Sequence, residues 1–175
     1  MNVLLGVTGG IAAYKAADLC SALIKKGHDV RVVLTDNALN FVGPSTFEGL
    51  TGNRPMTSTF GDAMAHITWA KWANIAVVAP LTANSMAKLA MGLADDALTT
   101  VLLAIPQTTP ILLAPAMNTE MWNHPATQRN RRWLAELGRY QFADPIDKRL
   151  ACGDIGIGGL QEVEDLVSAI QDMER

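Results

Sequence analysis

The sequence predicts a single doubly wound α/β domain, a parallel sheet covered by helices on both faces. Short apolar runs alternate along the chain with segments of helical periodicity. Those runs are continuously apolar rather than alternating, as expected of strands buried on both sides. Three of them end in glycines or small polar residues, the composition that ligand-binding strand ends need. With 175 residues, 49% of them hydrophobic and 18% charged, the chain suffices for one buried core, and no linker or internal repeat divides it.

Asn2–Val7 is a first strand, and Thr8-Gly9-Gly10 turns into a helix from about Ala12 to Lys26. Ala16, Leu19, Cys20, Leu23 and Ile24 recur along it at helical spacing, and Gly27 stops it. Val30–Leu34 is a second strand, ending at Thr35-Asp36-Asn37. Residues 44–52 suggest a short helix, and 53–65 read as irregular. Ile75–Ala79 is a third strand closed by Pro80, and a helical pattern from Ala83 to about Ile105 carries a break at Gly92. Ile111–Ala114 is a fourth strand, Pro125–Leu137 a helix stopped by Gly138, and Tyr140–Ala143 a short fifth strand. Residues 144–160, with four glycines, read as a loop, and Glu162–Met173 as a closing helix.

A net charge of −3 without a lysine or arginine run argues against nucleic-acid binding. No apolar stretch approaches the length of a membrane span, and Met1–Gly6 enters a strand without a basic leader, so the expected location is cytoplasmic. Cys20 and Cys152 lie far apart and form no metal-ligand spacing, so free thiols and no metal are expected.

The octet 115–122, Pro-Ala-Met-Asn-Thr-Glu-Met-Trp, puts Asn118 just past the fourth strand. An amide there can donate to a carboxylate without itself titrating; a turn with a capping Asn accounts for the octet equally well. Gly6-Val7-Thr8-Gly9-Gly10 permits close backbone approach to a phosphate at a helix start, with Thr8 adding a hydroxyl, or serves as a tight turn. Its spacing is neither the dinucleotide fingerprint nor a P-loop. Thr35-Asp36-Asn37 suits a phosphate or ribityl chain as well as a helix cap. Thr82, Asn84 and Ser85 offer three hydrogen-bonding side chains where a helix needs one N-cap, which favours a polar ligand. His66 has apolar neighbours that would desolvate its ring, although a lone histidine is more often structural, as expected of His28 and His124. Cys152, in the glycine-rich stretch, is a candidate proton donor or an incidental thiol.

Together these segments resemble the homo-oligomeric flavin-containing cysteine decarboxylases over nearly the whole chain. The carriers are GVTGGIAAYK at 6–15, His66, PLTANS at 80–85, GLADDALTT at 92–100, PAMNTEMW at 115–122 and RLACGD at 149–154. The family's usual PASANT motif stands here as PLTANS, which keeps small polar residues at Thr82 and Ser85. The resemblance implies a Rossmann-like, flavodoxin-type three-layer sandwich that binds FMN between subunits of a trimer, or of a dodecamer built from trimers. It implies FMN contacts at Gly9, Gly10, Ile11, Thr35, Asp36, Asn37, Thr82, Ala83, Asn84, Ser85 and Ala116. His66 and Asn118 would meet the substrate carboxylate, with Met121, Arg149, Leu150 and Ala151 also binding substrate and Cys152 acting as the acid.

The closest branch of the family acts on 4′-phosphopantothenoylcysteine in coenzyme A biosynthesis. Its chemistry oxidises the cysteine CH2–SH to a thioaldehyde, whose C=S accepts the electrons released with carbon dioxide, and the resulting enethiolate is then reduced to 4′-phosphopantetheine. The ACGD segment favours this full cycle over oxidative decarboxylation of a peptidyl cysteine. A flavin prenyltransferase lacks the PAMN octet, and a non-catalytic flavin-holding or phosphatase-regulating homologue would not need His66, Asn118 and Cys152 together. A nicotinamide-dependent oxidoreductase is opposed by the glycine spacing. A stand-alone decarboxylase is expected, with a separate phosphopantothenoylcysteine synthetase as a candidate partner.

Overall fold

The computed structural model describes residues 1–149, 153 and 155–173. Strands β1 (Asn2–Val7), β2 (Asp29–Leu34), β3 (Ile75–Leu81), β4 (Ile111–Pro115) and β5 (Tyr140–Phe142) form one parallel sheet in the order β2-β1-β3-β4-β5. The five expected strands are therefore all present. β3 continues through Pro80 to Leu81 rather than stopping at Ala79. Its register against β4 shifts between Val78 and Leu81, and the proline, which has no N–H for the ladder, falls inside that irregularity.

The helices are α1 (Lys15–Lys25), α2 (Pro44–Thr51), α3 (Ala65–Trp72), α4 (Ala83–Met91), α5 (Ala97–Ala104), α6 (Thr119–Asn123), α7 (Pro125–Glu136) and α8 (Val163–Asp172). On one face of the sheet Val3, Leu5 and Val7 pack with Ala16, Leu19, Cys20 and Leu23 of α1, Phe47 of α2 and Leu166 and Ile170 of α8. On the other, Leu4, Ala76, Val78 and Leu113 pack with Ala70 of α3, Met86 of α4, Leu98 and Val101 of α5 and Leu134 of α7. Adjacent residues of β1 thus enter opposite cores, which is why its sequence does not alternate. Each fully buried leucine contributes roughly 1.5–3 kcal/mol. Gly6 lets Leu98 pack closely on β1: a Cβ there would lie 2.4 Å from Leu98 Cδ1, and the Leu98 side chain would have to shift.

Four segments differ from the sequence expectation. The helix after the glycine loop begins as a 3-10 turn, Ile11–Tyr14, before α1. The break expected at Gly92 is present: Gly92 adopts φ +69° after α4, and Asp96 starts α5 with a capping box to Thr99. α3 and α6 occupy stretches not expected to be helical. Residues 144–160 are not a plain loop: β6 (Ile146–Arg149) and β7 (Ile155–Gly159) pair as an antiparallel ribbon. Among the described residues, no helix is long and apolar enough to cross a membrane.

Candidate active site

The direction of strand order reverses between β1 and β3, so an open α/β sheet places its crevice at their carboxyl ends. A cleft of about 460 Å³ opens there, within the size range of small-molecule sites. Its walls come from the glycine loop and α1 start (Gly9–Ala12, Tyr14, Lys15), from Pro80, Thr82 and Ala83, from Ala116–Asn118 with Met121, and from the ribbon residues Lys148 and Arg149 and the run Gly158–Leu160.

The glycine loop is held from both sides. Thr8 is fully buried; its hydroxyl donates to the Pro80 carbonyl at 2.8 Å and accepts from the Thr82 N–H at 3.0 Å. That hydroxyl joins the ends of β1 and β3 instead of facing a ligand, contrary to the role read from the sequence. Gly9 runs against the 3-10 turn Asp36–Asn40, where a Cβ would lie 2.4 Å from Asn37 Cβ and 2.5 Å from its carbonyl carbon. Gly10 is extended, and a Cβ there would meet only Thr82 Cγ2, at 3.7 Å. Thr35 is buried, and its Oγ1 has no hydrogen-bond partner among the described residues. An orphaned hydroxyl beside a glycine loop is a place where a ligand oxygen would complete the bonding.

Thr82 caps α4: its Oγ1 accepts from the Ser85 N–H at 3.2 Å and donates to Ser85 Oγ at 3.2 Å. Two of the three surplus polar side chains therefore serve the helix start and each other, while Asn84 is exposed and lies off the cleft. Asn118 also caps: its Oδ1 accepts from the N–H groups of Glu120 at 2.9 Å and Met121 at 3.4 Å. Its oxygen thus faces the first turn of α6.

Of the residues singled out in the sequence, the cleft gathers Gly9, Gly10, Ile11, Thr82, Ala83, Ala116, Asn118, Met121 and Arg149. Thr35, Asp36, Asn37, Asn84 and Ser85 flank it without lining it. Leu150, Ala151 and Cys152 lie outside the described residues. His66 sits in the first turn of α3, on the opposite face from α1, and does not line the cleft; its Nδ1 is buried without a partner among the described residues. His28 and His124 behave structurally, His28 Nδ1 lying 3.5 Å from the amino terminus and His124 accepting from the Ala126 N–H. Tyr14, Lys15, Met117 and Lys148 also line the cleft, although no sequence pattern marks them as ligand-facing. Lys15 ends the GVTGGIAAYK segment, and Lys148 adjoins Arg149, so position was the only signal.

Residues 1–174 match the family model described as Flavoprotein. The coenzyme A biosynthesis bifunctional protein CoaBC of Bacillus subtilis is 48% identical over 170 residues, a match covering 95% of this chain and 41% of that protein. The chain thus spans about two fifths of the length of that relative. The probable phosphopantothenoylcysteine decarboxylase of Streptococcus mutans is 40% identical over 175 residues, covering 98% of this chain and 97% of its own. Among solved structures, a cysteine-to-serine mutant of PPC decarboxylase complexed with pantothenoylaminoethenethiol is similar with a TM-score of 0.84 and 37% identity, covering 97% of this chain and 96% of that one. The FMN binding protein AtHal3 is similar with a TM-score of 0.83 and 37% identity, covering 97% and 94%.

Proposed function

The chain belongs to the flavoprotein family, and from that premise we propose that it decarboxylates 4′-phosphopantothenoylcysteine to 4′-phosphopantetheine, with FMN as cofactor, in coenzyme A biosynthesis. One observation carries the reading: the glycine loop, the Asn118 segment and the ribbon bearing Arg149 meet in a single cleft at the β1/β3 junction. The relatives named for this activity cover nearly all of the chain and supply the substrate class.

The residues present fit FMN. Gly9–Ile11 with Thr82 and Ala83 would hold it, Ala116 would floor the cleft, and the orphaned Thr35 hydroxyl offers a bond to a ligand oxygen beside that loop. Asp36, Asn37, Asn84 and Ser85 would act from the flanks. When bound, FMN supplies a two-electron acceptor and donor.

The substrate's cysteine carboxylate would receive the Asn118 amide, a neutral donor that the cap holds in one orientation. Met121 and Arg149 would bound the substrate, and Leu150 and Ala151, assigned from the same RLACGD motif as Cys152, would also bind it. Cys152, assigned from its RLACGD motif, would give the proton that completes the product carbon. His66 does not face its own cleft, so in this reading it meets the carboxylate in a neighbouring copy, within a trimer or a dodecamer of trimers. A separate phosphopantothenoylcysteine synthetase would supply the substrate. Release of carbon dioxide from 4′-phosphopantothenoylcysteine by the FMN-loaded protein tests the proposal, and its absence refutes it.

A further inference from the structure

Glu162 stands just beyond the foot of β7, outside the cleft lining, and its two oxygens serve two lysines on different walls. Oε2 accepts from Lys15 Nζ at 3.0 Å, and Oε1 from Lys148 Nζ at 3.4 Å. Lys15 opens α1 directly after the glycine loop and its 3-10 turn; Lys148 is on β6, next to Arg149. Lys148 Nζ also donates to the Leu160 carbonyl at 3.1 Å. Its stem crosses β7 where Gly159 leaves room, since a Cβ there would lie 2.3 Å from Lys148 Cε. The hydrogen bond from Lys15, together with the charges of both lysines, holds the Glu162 carboxyl below the usual range, so it stays ionised as the bridge requires.

A two-stranded ribbon is marginal by itself and needs anchors. On the α6 side, β7 is docked by the Met117 N–H, which donates to the Gly158 carbonyl at 2.9 Å. Gly156 lies close against Thr119 there; a Cβ would be 2.6 Å from Thr119 Oγ1. On the α1 side Leu160, just past β7, is buried in the core shared with α1, and Glu162 pairs with both Lys148 of β6 and Lys15 of α1.

We propose that Glu162 is a positioning residue, a carboxylate strap that ties the ribbon to the start of α1 and sets the spacing between those two walls of the ligand site. Its effect on substrate rests on the functional reading above; its mechanical effect does not. Glu162→Gln keeps the shape and removes the charge from both pairs.

In the FMN-loaded protein, limited trypsin digestion read by mass spectrometry should show cleavage after Lys148 or Arg149 about threefold faster or more, as loss of two partly exposed ion pairs implies. Flavin content and melting temperature should stay at wild type. The KM for 4′-phosphopantothenoylcysteine should rise by about the same factor while kcat changes less than about twofold, the signature of lost ground-state positioning. Wild-type cleavage rates overturn the proposal, as does faster cleavage with an unchanged KM. Joint loss of flavin, melting temperature and kcat also overturns it, by making Glu162 a residue of the fold alone. If the wild type releases no carbon dioxide but the cleavage difference stands, the functional reading falls and the mechanical link remains.

Discussion

Replacing Gly9 with alanine should damage the protein before any ligand is considered. The added methyl would sit 2.4 Å from Asn37 Cβ and 2.5 Å from the Asn37 carbonyl carbon. Backbone lies on both sides of that contact, so the strain cannot be relieved by turning a side chain; the loop and the turn Asp36–Asn40 must separate. Overpacking of this kind costs about 1–3 kcal/mol. In a domain of this size each kcal/mol moves the melting temperature by roughly 2–4 °C. Thermal unfolding of the flavin-free Gly9→Ala protein should therefore show a drop of roughly 2–12 °C.

Gly10→Ala is the internal control. Its backbone is extended, and the new methyl would meet only Thr82 Cγ2, at 3.7 Å. The flavin-free variant should melt at or slightly above wild type, because alanine restricts the unfolded chain. Its methyl enters the cleft, so FMN titration followed by flavin fluorescence should show weakened binding. A Gly9→Ala protein with wild-type melting and wild-type FMN affinity would refute the reasoning.

Three further outcomes are expected. Asn118→Asp keeps the cap on α6, because aspartate is as good an N-cap, so folding and FMN content should persist. Turnover should be lost, since a second carboxylate facing the substrate's own costs on the order of 2–5 kcal/mol of binding; wild-type activity would remove Asn118 from the carboxylate site. Cys152→Ser should still release carbon dioxide under air but stop at an enethiol lighter than 4′-phosphopantetheine by two hydrogens, because a hydroxyl is a far weaker acid than a thiol. Normal product from that variant would make Cys152 a bystander. Burial pushes the Cys20 thiol up from 9.0 to about 11. In that window the unfolded chain has lost the proton that the folded chain keeps, so this contribution is intact below pH 9.0 and declines as the pH rises towards about 11. Denaturant midpoints across that range should fall less in Cys20→Ala, and parallel slopes would contradict the assignment.

The sheet was legible in the sequence because β1, β3 and β4 are apolar runs bounded by glycine or proline, and tertiary packing merely lengthened β3 past Pro80. α3 was not. Its sequence Ala-His-Ile-Thr-Trp-Ala-Lys-Trp has weak amphipathic contrast, and Met64 before it makes no side-chain cap, so both start and periodicity signals are missing. The ribbon was hidden by its own glycines. Gly156 and Gly159 read as loop residues, yet they permit the close passages of Thr119 and Lys148 that seat β7. At the site, the sequence pointed to the right loops but could not tell ligand-facing groups from structural ones. Thr8 reads as a ligand donor, yet its hydroxyl is spent on joining β1 to β3. That distinction depends on side-chain direction, which local spacing does not encode.

A complete redox cycle on one small substrate fixes the product's mass, and that mass tests the proposed function most directly. Purified protein should show an FMN absorption spectrum, or gain one on reconstitution. Under nitrogen, with no added reductant, it should convert 4′-phosphopantothenoylcysteine to a product lighter by one carbon dioxide, 4′-phosphopantetheine, leaving the flavin oxidised. A colourless protein that FMN cannot reconstitute, or a product lighter by two further hydrogens with the flavin left reduced, would contradict the account.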